Sequence, residues 1–422
     1  MEFGTPGGPV SMGHQFQHTT VKRSRAFQNS GAHAAHTLPS IRREYLSVRD
    51  DGQDNTVGSS SLWMDKLFDL ASALCLCRIS EGFYVALRQE RNEALVLMVD
   101  WLYWLLTAFY TSNHMNATAN RFDSDTLPDT AIFVFNVIIL GSMGMCALSV
   151  SGVAAAGAAT SLINSIGHQE SFLSAILASR VGMVAALARV GLLDRTSTGY
   201  CLLRSGQIVM STCGFLALSL AEPHSVWYYC TWTGTILIDV VSLKSVACCQ
   251  ALLYSNYVPL NLTLLSDHMC HVVWMMCAVL LLGCFLNTSV GFTWDHAAVV
   301  VLALGVKLLY FDVFMASGEG SVVHASEQSR GRGMVWRALH FPLMAALSLL
   351  YGPVLGIVGP WGVRGSANVT VPGHAEVGGC LVGVGVGVAI VTCWLQRLLH
   401  SFPSFFPPDL SPMPHDVEEP ER

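Results

Sequence analysis

Long hydrophobic stretches fill most of this chain, and short polar or charged stretches separate them. The pattern predicts ten apolar spans: 62–84, 94–113, 128–150, 171–192, 200–220, 225–254, 268–287, 294–315, 337–359 and 377–399. A helix needs about 20 residues to cross a hydrocarbon core. The fold expected is therefore all-α, a polytopic transmembrane helix bundle of about ten spans. The Gly- and Ala-rich segment 151–165 reads as an extension of the third span. Residues 1–60 are rich in Ser, His, Gln and Gly, lack hydrophobic periodicity and read as a disordered tail. Residues 61–400 form the membrane domain. Residues 401–422 are Pro-rich and acidic and read as a second tail, because proline ends a long helix.

Composition supports this reading. The chain is 52% hydrophobic and only 12% charged, whereas a soluble domain is about a quarter charged. The lipid bilayer is thus the expected partner. A net charge of -6 gives no electrostatic case for nucleic acid. Many of the 13 cysteines lie inside apolar runs, among them Cys75, Cys77, Cys213, Cys277, Cys284 and Cys393, and read as buried thiols. None has paired zinc-ligand spacing. No HExxH, GxSxG, P-loop or CxxC pattern occurs. No cofactor is expected, and the chain reads as something other than an enzyme.

Orientation follows from Lys and Arg near the span ends. With the N-terminus cytosolic, that side gathers the basic tail, Arg121, Arg195, Arg330, Arg332, Arg337 and Arg397. Ten spans return the C-terminus to the cytosol. The sequons at Asn287 and Asn368 then face outward as glycosylation sites, and those at Asn116 and Asn261 are silent. In the last span, Gly379, Gly383 and Gly387 recur every four residues and clear one helix face for close approach. Packing inside the monomer is the expected use, ahead of a dimer seam.

Ionisable residues at membrane depth are costly and mark partners, cavities or pathways. The spans hold Asp65, Lys66, Asp69, Asp100, Arg180, Arg189, Asp239, Lys244, Lys307, Asp312 and His340. Asp65 and Asp69 are four apart and share a helix face. Either the two carboxylates share a proton, since like charges resist joint ionisation, or each neutralises an arginine, with Arg180 and Arg121 available. Asp239 and Lys244 are five apart, face each other poorly and each need a partner elsewhere. His268 and His271, three apart on a helix, are candidate metal ligands as well as polar packing residues. The stretch NRFDSDTLPD at 120–129 supplies a cap for the third span in Thr126 and Asp129. It leaves Arg121 and Asp123 over.

Asn120-Arg121-Phe122-Asp123-Ser124-Asp125-x-x-Pro128 resembles the NRFDTDD-x-P signature of the bacterial low-temperature-requirement A (LtrA) membrane proteins. Further pieces follow in that family's order. Asp65-Lys66-Leu67-Phe68-Asp69-Leu70 resembles its opening motif, Arg180 its arginine in the fourth span, Leu309-Tyr310-Phe311-Asp312 its Leu-Tyr-Phe-Asp motif, and Leu339-His340-Phe341-Pro342-Leu343 its Leu-His-x-Pro-Leu motif. In the seventh span the family's Glu-Arg pair has no counterpart, and Cys284 follows Gly283 where an acid belongs. His268 and His271 are the polar groups available there. Phe122-Asp123 and Phe311-Asp312 each close an even-numbered span, which suggests a parallel internal repeat of the kind seen in secondary transporters.

The resemblance and the charges together imply a transporter or channel for a small solute or ion. Asp65 and Asp69, Asp123 and Asp312 would be acidic groups on its path, with Arg121, Arg180 and His340 as partners or gates. A non-transporting scaffold or stress sensor is the alternative, and a membrane-embedded enzyme comes after it. Nothing in the sequence sets an oligomeric state.

Overall fold

The computed structural model describes residues 59–89, 93–119, 127–154, 161–193, 197–252, 262–286, 294–312, 330–358 and 374–401. Ten helices account for nearly all of them, and no strand occurs among the described residues. They are α1 (Ser59–Gln89), α2 (Ala94–Ala119), α3 (Leu127–Ala154), α4 (Ser161–Leu193), α5 (Thr198–Leu220), α6 (Val226–Leu252), α7 (Leu262–Leu286), α8 (Trp294–Lys307), α9 (Arg330–Val358) and α10 (His374–Ser401). A π-helical turn, Leu308–Asp312, extends α8. Apart from Ser59, Ser60 and Ser401, the two tails lie outside the described residues.

Periodicity explains how these helices pack. On α5, Cys201, Arg204, Ile208, Ser211, Phe215 and Leu218 are buried, at steps of three and four. That spacing is one continuous helix face. The opposite face carries Leu202, Val209, Met210, Leu216 and Leu220, all exposed. An apolar exterior around a polar-bearing interior reverses the pattern of a soluble protein and suits lipid as the surrounding solvent. Among the described residues, seven helices are long and apolar enough to cross a membrane: α1, α2, α4, α5, α7, α9 and α10. Shorter apolar segments, Thr130–Cys146 and His296–Tyr310, lie on α3 and α8.

Helix α1 is the hub, packing against α2, α3, α7 and α9. Its buried residues lie all around the helix: Phe68, Asp69, Ala71, Ser72, Ala73, Cys75, Leu76 and Cys77 follow one another with little interruption. Helices α3 to α6 pack in chain order, α2 closes back on α4 and α6, and α9 carries α10. Close approach requires glycine at particular crossings. A Cβ on Gly144 of α3 would lie 3.1 Å from the Cys75 Cα, and one on Gly352 of α9 would lie 2.6 Å from the Tyr84 Cβ.

The glycine stripe of the last span behaves differently from expectation. A Cβ on Gly379, Gly383 or Gly387 would meet nothing within 4 Å. The inward residue is Gly385, whose added Cβ would stand 3.1 Å from the Ala346 carbonyl oxygen. The stripe therefore faces away from the bundle, so it is not a packing face inside the monomer. Residues 151–154 of the Gly- and Ala-rich segment continue α3 and 161–165 open α4, and 155–160 lie outside the described residues. One further expectation changes. Cys213 is exposed, whereas Cys75, Cys77, Cys277, Cys284 and Cys393 are buried thiols.

Candidate functional site

Two groups of ionisable side chains gather inside the bundle, beside smaller hydroxyl contacts such as Ser80 with Ser348 and Ser72 with Ser112. The first is built by α2, α4, α5 and α6. Arg180 donates from Nη2 to Asp239 Oδ2 at 2.5 Å, and both side chains are excluded from solvent. His114 Nε2 lies 3.2 Å from the other Asp239 oxygen. Arg204 donates from Nη2 to His114 Nδ1. Because Nδ1 accepts that bond, the imidazole proton sits on Nε2, facing the carboxylate. The line Arg204–His114–Asp239–Arg180 thus ties four helices together through charge-assisted contacts. The Arg180 guanidinium also lies 5.7 Å from the Phe215 ring centroid. Its Nε and Nη1 are buried and have no protein partner.

The second group is built by α1, α7, α8, α9 and α10. Asp69, fully buried on α1, accepts from His268 Nδ1 of α7 at 3.1 Å. His271, one turn along, places its Nδ1 3.9 Å from Asp69 and stays partly exposed. On the far side of α7, Cys270 Sγ is 3.4 Å from the Tyr310 hydroxyl. That hydroxyl lies 2.6 Å from His340 Nε2. His340 Nδ1 lies 2.9 Å from the Trp336 carbonyl oxygen and 3.1 Å from the Gln396 amide of α10. Tyr310 stands on the π-helical turn, a geometry found frequently at functional sites. Pro342, two residues after His340, lies inside α9 and removes one backbone donor there.

Asp69, Arg204 and His268 lie near the starts of odd-numbered helices, and His114, Tyr310 and Gln396 near the ends of even-numbered ones. A more exposed cluster joins α2 to α6, in which Tyr229 donates to Asp100 Oδ1 at 3.0 Å and His224 lies 3.4 Å from Asp100 Oδ2.

The candidate residues read from the sequence fall as follows. Asp69 joins the second group, facing histidine rather than the arginines considered for it. Arg180 joins the first and pairs with Asp239. His340 joins the second. Asp65 is partly buried at the start of α1. Asp312 closes the π-helical turn, its side chain lying outside the described residues, as does that of Lys244. Arg121, Asp123, Asn287 and Asn368 lie outside the described residues altogether. His268 and His271 gather about Asp69, and among the described residues no group of three or more His, Cys, Asp or Glu side chains has the arrangement to hold a metal.

Sequence reasoning missed His114, Arg204, Cys270, Tyr310 and Gln396. Two signals were present. Arg204 interrupts the apolar stripe of α5, and Tyr310 stands inside the Leu309–Asp312 motif. No family model, curated protein or solved structure matches the chain.

Proposed function

We propose that this chain is an integral membrane protein of the LtrA type that transports or conducts a small solute or ion. The observation that carries the reading is Arg180. A guanidinium buried among membrane helices, half engaged by Asp239 and with Nε and Nη1 unpartnered, presents hydrogen-bond donors where a polar solute or ion would need them. Asp69 with His268 offers a second buried polar station. Ten crossing helices would put both termini on the cytosolic side, with α3, α6 and α8 added to the seven helices that are long and apolar enough. The contact of α1 with α7 supports a parallel repeat between the two halves.

The test starts with an untargeted solute comparison between cells with and without the protein, followed by flux of the solutes found in reconstituted vesicles. Neutralising Asp69 or Asp312 is expected to abolish flux while the purified protein melts normally. Full flux in D69N and D312N would remove these residues from the path.

A scaffold role is the second reading, and the Arg204–His114–Asp239–Arg180 line favours it, since such a line also holds helices together. Vesicles that pass no solute, with partner recovery that depends on the N-terminal tail, would select it.

A further inference from the structure

We propose that the seam between α2 and α6 is the route to Arg180, that the solute it admits is a small anion, and that the Tyr103 ring is its gate. The proposal rests on the transport reading above and names the class of solute.

The argument begins with spacing. Asp100, Tyr103, Thr107, Thr111 and His114 follow one another at steps of three and four, so they share one face of α2. Contacts to α6 line that face. Tyr229 donates to Asp100, Tyr103 reaches Thr233 Oγ1, Trp232 Nε1 donates to Thr107 Oγ1 at 2.9 Å, and His114 faces Asp239. The contacts advance along both helices in the same order, so the two run parallel. From Asp100 to His114 the seam covers about 21 Å of helix, at about 1.5 Å per residue. Burial deepens along it. The His224 and Asp100 side chains are 44% and 21% exposed, whereas Thr107, Thr111 and His114 are closed off from solvent.

The class of solute follows from what the seam leaves over. Both of its carboxylates are engaged at both oxygens, Asp100 by Tyr229 and His224, and Asp239 by Arg180 and His114. The remaining groups are donors. Arg180 Nε and Nη1 and the Thr111 hydroxyl are buried with no partner among the described residues. Buried donors without an acceptor are costly. A guanidinium beside them favours an anion and repels a cation.

The gate stands where exposure ends. The Tyr103 ring stacks on Tyr229 and Trp232, with centroids 5.7 and 5.1 Å away. It lies between the exposed Asp100 and the buried Thr107. Thr233 gives its own hydrogen to the Tyr229 carbonyl, so the Tyr103 hydroxyl is the donor to Thr233. Turning this one side chain breaks one hydrogen bond and opens the seam above Thr107.

The test uses the full chain purified in detergent and carrying T111C. An anionic and a cationic ethyl methanethiosulfonate are applied separately. Labelling at position 111 is read by peptide mass spectrometry, which separates it from the native cysteines. Each rate is divided by that of the same reagent with a free thiol. The anionic reagent is expected to label T111C about tenfold faster than the cationic one, the scale of charge steering into a cleft. Adding Y103A is expected to raise both rates, and adding R180M to erase the preference. Should R180M fail to fold, sodium formate decides: it slows labelling of T111C relative to equimolar sodium gluconate, whose anion is bulky. Equal rates for the two reagents, equal rates in the two salts, or rates unchanged by Y103A would each overturn the proposal. If neither reagent reaches T111C, with or without Y103A, while vesicles pass a solute, the route falls and the transport reading stands. The same silence with vesicles that pass nothing would end both.

Discussion

Arg180 on α4 meets Asp239 on α6 at 2.5 Å, with 0% and 2% of the two side chains exposed. Removing one member of such a buried pair leaves an uncompensated charge and costs about 3–5 kcal/mol. The two removals are not equivalent. R180A leaves Asp239 with His114 still 3.2 Å away as a compensating group. D239A leaves the guanidinium with the Phe215 ring and no carboxylate. D239A is therefore expected to lower the melting temperature more than R180A, and R180M/D239L to cost less than the sum of the single changes. Strictly additive losses would show that the two residues do not act as a unit.

Glycine positions give a sharper contrast because the expected signs differ. An added Cβ at Gly352 would lie 2.6 Å from the Tyr84 Cβ and 3.2 Å from the Ser80 carbonyl oxygen. Neither is the free end of a flexible chain, so α1 and α9 must part. G352A is expected to destabilise by roughly 1–3 kcal/mol, the usual cost of overpacking. At Gly383 the same methyl meets nothing within 4 Å. G383A is expected to be neutral or stabilising, since alanine is the better helix former by about 1 kcal/mol. A comparison of melting temperatures in detergent reads both. A loss in G383A matching that in G352A would place the stripe inside the monomer after all.

Which parts of this arrangement were legible in advance follows from what hydropathy measures. It finds the apolar centre of a helix and is blind to polar turns that continue it. So the spans near 200–220 and 377–399 agree closely with α5 and α10, while α4 begins at Ser161 rather than near 171 and α9 at Arg330 rather than near 337. The same limit governs the site. Asp69, Arg180 and His340 stand out because charge or imidazole at depth is rare. Tyr310, Cys270 and Gln396 are ordinary in composition and gain meaning only when three helices bring them to His340. His114 lies just past the apolar run of the second span, where polar residues attract no notice. The outward turn of Gly379, Gly383 and Gly387 was not legible either. A four-residue spacing says that the three share a face, and neighbouring helices decide which way it points.

The two histidines beside Asp69 are expected to differ in weight. His268 donates to the carboxylate at 3.1 Å from a buried position, whereas His271 stands at 3.9 Å with 39% of its side chain exposed. H268Q is expected to cost about 1–3 kcal/mol, the penalty for leaving a buried acceptor short of its donor. H271Q is expected to cost under about 1 kcal/mol, as for an exposed ion pair. Equal losses from the two substitutions, measured by thermal unfolding, would indicate that Asp69 leans on both rings alike.

Topology is tested by glycans, and the structure changes which sequon is informative. Asn116 was expected to be silent because it faces the cytosol. It is in fact only 4% exposed and lies within α2, so no transferase reaches it once the helix has formed, whichever way the chain is oriented. Its silence therefore carries no information about sidedness. The decision passes to Asn261, which immediately precedes α7, and to Asn287, which immediately follows it. These two sequons flank one helix long and apolar enough to cross a membrane, and a crossing puts them on opposite sides. A cytosolic N-terminus predicts that N287Q removes a glycan in a eukaryotic expression host and that N261Q changes nothing. The reverse result, a gel shift lost in N261Q and kept in N287Q, would invert the expected orientation.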